Sequence, residues 1–199
     1  MSRVRDRFLG WCGSALVVAF VLATSGAQAA TLNVLGGILY GASGVNVGGN
    51  FYDVQFVEGT CIGVYSGCDE ASDFTFNTLV DVNLASQALL DQVFIDGVAG
   101  NFDSIMTLTY GCTNATTCSA QTAYSLVDAN TMNVGVAFNH INEVSDAALN
   151  GSHLRTDDSS VGVGQFYMYA VWSPVPEPGT ALLLGVGLVA MAVRRRRVA

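Results

Sequence analysis

Lysine is absent from all 199 residues, and the eight arginines leave the middle of the chain almost bare of positive charge. Arg3, Arg5 and Arg7 lie at one end, Arg194, Arg195, Arg196 and Arg197 at the other, and Arg155 alone stands between. Residues 31 to 173 set that single arginine against 14 acids, a balance of −13. Phosphate recognition draws on clustered Lys and Arg, so this distribution argues against nucleic acid as a partner. The same acidity does not imply disorder, because the segment is rich in Val, Ile, Leu, Phe and Tyr, which disordered acidic chains lack.

Catalytic equipment is equally sparse. Two histidines, His140 and His153, are the only conventional bases that titrate near neutral pH. Glu143, three residues after His140, could orient its ring, but no G-x-S-x-G elbow supplies a nucleophile, and no nucleotide-binding loop is present. Fourteen acids offer many carboxylate pairs for glycoside hydrolysis without singling one out. The expectation is that the chain is not an enzyme and needs no cofactor. Hard-oxygen ligands for calcium could come from Asp96 to Asp103 or from Asp157 and Asp158, although neither stretch matches an EF-hand and both read equally as solvated turns. Tyr167, Tyr169 and Trp172 could form a sugar-binding aromatic face, or serve an ordinary sheet. The sequons at Asn114 and Asn150 say little by themselves.

What is present is punctuation at both ends. "MSRVRDR" is basic, "FLGWCGSALVVAFVLATS" is apolar, and Ala27-Gln28-Ala29 has the small-x-small pattern of a signal peptidase site. Residues 1 to 29 thus read as a signal peptide, and the mature chain is expected to fold outside the cytoplasm. Four cysteines then remain, Cys61, Cys68, Cys112 and Cys118, and an even count in an exported chain reads as disulfides. Of three possible connectivities the one with two local bridges is favoured, each bridge contributing roughly 2 to 2.5 kcal/mol by restricting the unfolded chain. Structural zinc, whose ligands usually lie two to four residues apart, is the rival.

At the other end, Gly179 to Val193 is 15 residues without a charge. As a helix that run is about 22 Å long, short of the roughly 30 Å hydrocarbon core. It spans if Pro176 and Pro178 sit at one interface and the arginines snorkel at the other, with Arg194 to Arg197 holding the cytoplasmic side. All three prolines, 174, 176 and 178, fall in "SPVPEP", a short stiff linker. Glu177 between two of them favours the positive end of a following helix.

Pro176-Glu177-Pro178, a Gly- and Leu-rich apolar stretch and a terminal Arg cluster, in that order, resemble the PEP-CTERM sorting signal of Gram-negative bacteria. The resemblance covers about 25 residues. It implies that Pro176, Glu177 and Pro178 are read by exosortase, a membrane transpeptidase-like cysteine protease, that 179 to 193 is a transient inner-membrane anchor, and that Arg194, Arg195, Arg196 and Arg197 are the membrane-stop charges. Carriers of that signal are exported proteins linked to exopolysaccharide and biofilm matrix. "FYDVQFVEGTC" and "ASQALLDQVF" further resemble a domain that recurs among such proteins, which implies no activity.

Between the ends, residues 30 to 173 are expected to form a mainly β domain, an antiparallel sheet or small sandwich with at least one packed helix. Period-two apolar patterns occur at Tyr52, Val54 and Phe56, at Phe74 and Phe76, at Met106, Leu108 and Tyr110, at Met132 to Phe138, and at Phe166 to Trp172. Gly48-Gly49 predicts a hairpin turn. "NLASQALLDQVFIDG" predicts a helix capped by Asn83 and stopped by Gly97. The remaining boundaries are a linker at 174 to 178, a single transmembrane helix at 179 to 193 and a basic cytoplasmic tail at 194 to 199. The function expected is an exosortase-sorted matrix protein, structural or adhesive; the alternatives are a calcium- or polysaccharide-binding module and a secreted hydrolase.

Overall fold

The computed structural model describes residues 29–161, 166–176 and 187. The expected signal peptide up to Gln28, Glu177 and Pro178, the expected transmembrane segment apart from Gly187, and the arginine cluster lie outside the described residues.

Strands β1 (Thr31–Leu35), β2 (Ile38–Val47) and β3 (Asn50–Val57) form a meander. The β2–β3 connection is Gly48-Gly49, with φ of 60° and 96°, the positive values that a tight two-residue hairpin demands and glycine supplies. A one-turn helix α1 (Cys61–Val64) and a long helix α2 (Leu79–Gln92) follow. The two-residue strands β4 (Asp96–Gly97) and β5 (Gly100–Asn101) pair with each other as a separate hairpin. A second meander, β6 (Thr117–Leu126), β7 (Thr131–His140) and β8 (Ala147–Leu154), precedes the last strand β9 (Tyr167–Pro174).

All of the longer strands join one seven-stranded sheet in the order β1-β2-β3-β9-β6-β7-β8. The chain therefore builds two meanders and closes the gap between them with its final strand. Entering there, β9 runs antiparallel to β3 and parallel to β6. The sheet is mixed, where an antiparallel sheet or a two-sheet sandwich was expected, because β9 is joined to its neighbours by long connections and not by hairpins.

Alternation along the central strands sends side chains to two covered faces. Met168, Ala170 and Trp172 of β9, Cys118 and Ala120 of β6 and Ala137 of β7 enter the larger core with Val82, Ala85, Ala88 and Leu89 of α2. Opposite parity sends Tyr169, Ala123, Met132 and Val134 to a second core under Cys61, Tyr65, Cys68 and Phe74. Each fully buried Val or Leu contributes roughly 1.5 to 3 kcal/mol to such a core. The sheet is thus a middle layer, with α2 on one face and the Cys61–Cys68 loop on the other.

Several local expectations are corrected. The helix begins at Leu79, upstream of the expected cap Asn83, because Thr78 is the N-cap: its hydroxyl oxygen accepts the Asp81 N–H at 3.1 Å. Asn83 itself lies inside the helix. The helix ends with Val93 as C-cap, ahead of Gly97, which belongs to β4. Phe74 and Phe76 are buried outside any strand, and Met106–Leu108 is a 3₁₀ turn. Their alternation reflects single side chains reaching the core from irregular backbone. Among the described residues no helix is long and apolar enough to cross a membrane.

Candidate functional site

The described chain leaves the fold from the middle of the sheet, at the start of the segment that the sequence marks as a sorting signal. Pro174 lies opposite Tyr52, and Val175 donates its N–H to the Phe51 carbonyl at 2.9 Å. The sheet thus runs two residues into the stretch read as a linker, and Pro176 follows at once, exposed.

That exit is rigidly founded. Trp172, 4% exposed, donates its indole N–H to the Thr122 hydroxyl at 2.9 Å, and its carbonyl accepts the Thr75 hydroxyl at 2.6 Å. Its ring meets Phe76 at 5.6 Å and Tyr52 at 6.3 Å, and those two meet each other at 5.0 Å. Offset and edge-on aromatic contacts of this kind add about 0.5 to 1.5 kcal/mol each beyond burial. Thr75 and Thr122 escaped the sequence reading, since neither lies near residue 176 in the chain.

The four cysteines pair locally. The sulfurs of Cys61 and Cys68 are 1.97 Å apart and those of Cys112 and Cys118 2.03 Å. The first bridge closes the loop over the smaller core; the second ties the start of β6 to the irregular segment before it, against Met168.

The carboxylates proposed for calcium are engaged with their own turns. Asp96 accepts the backbone N–H groups of Asp103 and Ser104 at 3.0 and 3.1 Å. Asp158 accepts the N–H and hydroxyl of Ser160 at 2.8 and 2.6 Å, and Asp157 accepts the Leu154 N–H at 3.2 Å. Among the described residues no group of three or more His, Cys, Asp or Glu side chains is arranged to hold a metal ion.

Asp96 and Asp103 also line an acidic cleft of about 650 Å³ with Gln87, Asp91, Glu143 and Asp146. Burial, then the Asp146 and Asp96 charges, a hydrogen bond with Asp146 and the Glu143 charge push the Asp103 carboxyl up to about 6. Asp103 and Asp146 are 43 positions apart in the chain, so no local sequence signal pairs them.

The histidines are separated. The Asn142 N–H donates to His140 Nδ1 at 2.9 Å, so that nitrogen presents its lone pair, and the ring stacks on Phe138 at 6.2 Å. Glu143 lines the acidic cleft. His153 lies in β8, where a polar loop was expected; its Nε2 is 3.2 Å from Gln121 Nε2, its Nδ1 3.9 Å from Asp157, and its ring stacks on Tyr167 at 5.8 Å.

Of the two readings of Tyr167, Tyr169 and Trp172, the ordinary sheet holds and the aromatic face does not form. Tyr167 and Tyr169 point to one side of β9 and Trp172, of opposite parity, to the other. A shallow groove of about 560 Å³ instead runs beside Asn33, Tyr40, Ser43, Asp53, Gln55 and Ser173. Tyr40 stacks on Tyr110 there at 4.8 Å. Hydrogen bonding to Glu58, then burial, raises the Tyr110 phenol above its ordinary range.

Comparison with known families matches residues 174–197 to the PEP-CTERM protein-sorting motif. The chain carries a PEP-CTERM sorting signal, and the match begins at Pro174, the last residue of β9. The motif supports an exported protein that passes through transient membrane anchoring to exosortase, its processing partner. No curated protein and no solved structure matches the chain.

Proposed function

We propose that this protein is cargo: a signal peptidase removes residues 1 to 29, the apolar segment 179 to 193 holds the chain in the inner membrane, and exosortase acts at Pro176, Glu177 and Pro178. The folded domain then reaches the cell surface or extracellular matrix, where it serves a structural or adhesive role beside exopolysaccharide and catalyses nothing. The observation that carries this reading is the sorting motif, which starts at the terminus of a central strand. Local sequence suffices for each processing step. Glu177 offers a charge between two prolines whose backbone is already restricted, so an enzyme can grip it at small entropic cost.

Glu177→Ala tests it in an exosortase-bearing host. Export should persist while the tail stays attached, so the variant accumulates in the membrane fraction. Normal trimming and release of the variant would remove the basis of the reading.

A second reading, a polysaccharide-binding module, draws on the groove at Tyr40. Tyr40, backed by Tyr110 and beside Asn33, Asp53 and Gln55, provides the apolar platform and hydroxyl partners that a sugar ring requires. A glycan array with and without calcium decides between them: binding that Tyr40→Ala abolishes favours the module, and a blank array favours the passive component.

A further inference from the structure

The tail leaves the domain beside a cluster of exposed apolar side chains. Leu79 is 47% exposed, Val80 68% and Leu84 45%, all in the first two turns of α2. Those turns sit at the exit: Thr75, Phe76, Asp81 and Leu84 line one small cleft with Val47, Gly48, Asn50 and Tyr52, and Tyr52 is the partner of Pro174. Val80 and Leu84, four apart, share a helix face beside the one that buries Val82, Ala85 and Leu89, and Leu84 reaches the Gly48 turn while staying half exposed.

Chain length fixes what lies opposite. From Pro176 to Gly179 is three residues, at most about 10 Å of extended chain. The headgroup zone of one leaflet is about 5 to 7 Å deep. On the reading that 179 to 193 enters the bilayer, the exit end of the domain can stand no more than about 5 Å clear of the headgroups. We infer that Leu79, Val80 and Leu84 form a membrane-resting patch, set in the lipid headgroup zone while the chain is anchored. The domain therefore lies against the bilayer by this end, and exosortase meets the sorting triplet at a fixed height under a fixed face.

The contact is apolar and not electrostatic. Arg155, the sole arginine among the described residues, follows β8, three strands from β9, and donates to the Gly67 and Ala129 carbonyls. Asp81, the one acid in the cleft, is 2.7 Å from the Thr78 hydroxyl that donates to it. Contact with lipid should accordingly persist in high salt.

The test places a photo-crosslinking benzoylphenylalanine at Val80 or at Val98 in the full chain, reconstituted in vesicles of phosphatidylethanolamine and phosphatidylglycerol, with exosortase present. Val98, fully exposed, sits beyond the other end of α2, a helix about 21 Å long. The Val80 probe should give lipid adducts at least about fivefold more often than the Val98 probe, in low and high salt alike, because the short tether holds only one end at the membrane. Eight Gly/Ser residues inserted between Val175 and Pro176 should reduce that difference. Equal lipid yields from a chain that floats with the vesicles would overturn the resting patch alone. Adducts of the Val80 probe to exosortase in place of lipid would assign the patch to the enzyme and overturn it too. A chain that does not float overturns the anchoring reading itself.

Discussion

Gly135→Ala probes the packing of α2 on the sheet most sharply, because two effects of known size oppose each other. Gly135 lies in β7 beneath the helix, and a methyl group there would stand 2.5 Å from Val82 Cγ2, 3.0 Å from Val82 Cγ1 and 3.1 Å from Ser86 Oγ. Replacing a strand glycine with alanine ordinarily stabilises by about 0.5 to 1 kcal/mol through the unfolded chain. Overpacking of this kind costs about 1 to 3 kcal/mol, and Val82 is fully buried. The clash wins, and the expected net loss is about 0.5 to 2 kcal/mol. Urea unfolding with the disulfides intact, followed by the fluorescence of buried Trp172, should show the midpoint falling by roughly 0.3 to 1 M. Repeating the substitution in a Val82→Ala background removes the obstacle, so Gly135→Ala should there become neutral or stabilising by up to about 1 kcal/mol. A loss of equal size in both backgrounds would refute the claim that Val82 rests on this glycine.

The other predictions concern the disulfides and the acidic cleft. Replacing either cysteine pair, Cys61 with Cys68 or Cys112 with Cys118, by serines should cost about 2.4 kcal/mol in urea unfolding, the chain-entropy value for loops of this length. Additive losses in the fourfold variant would confirm that the bridges act on independent loops. For Asp103, the folded-state value is about 6 against an ordinary 3.8, so the folded chain holds the proton more tightly than the unfolded one. The resulting stability is full below pH 3.8 and lost as pH rises through 6. Asp103→Asn should flatten the stability profile between those limits and raise stability at about pH 7 to 8, as circular dichroism melts at several pH values can check; an unchanged profile would contradict the clustering of Asp103 with Asp146, Asp96 and Glu143.

Much of the β architecture was legible because burial on one face writes itself as alternation. Tyr52, Val54 and Phe56 in β3, Met132 and Val134 in β7, and Met168 to Trp172 in β9 all follow it. Gly48-Gly49 was legible because few residues other than glycine turn a chain so tightly. The start of α2 was not, since Leu79, Val80 and Leu84 expose apolar groups where an amphipathic pattern expects polar ones. The parallel placement of β9 beside β6 depends on long connections, which leave no local trace. The same is true of the Asp103–Asp146 contact and of His153 against Tyr167, pairs separated by loops that periodicity cannot fold.

The sorting signal was legible for the opposite reason: an enzyme that reads a short extended segment needs its residues contiguous. The structure adds where that segment is attached. A central strand, hydrogen-bonded on both sides and pinned through Trp172 to Thr75 and Thr122, delivers Pro176 at a defined point on the surface. Removal of the tail therefore need not disturb the sheet, because the last paired backbone group among the described residues, at Val175, precedes the triplet.

The central claim is that the chain is exported, processed at its C-terminal signal and released as an intact folded domain. Intact-mass measurement of the protein recovered outside exosortase-bearing cells tests it directly. The account predicts a species that begins at Ala30, lacks Arg194 to Arg197 and retains both disulfides, and that disappears when exosortase is deleted. Recovery of released protein that still carries the four terminal arginines, with or without exosortase, would contradict it.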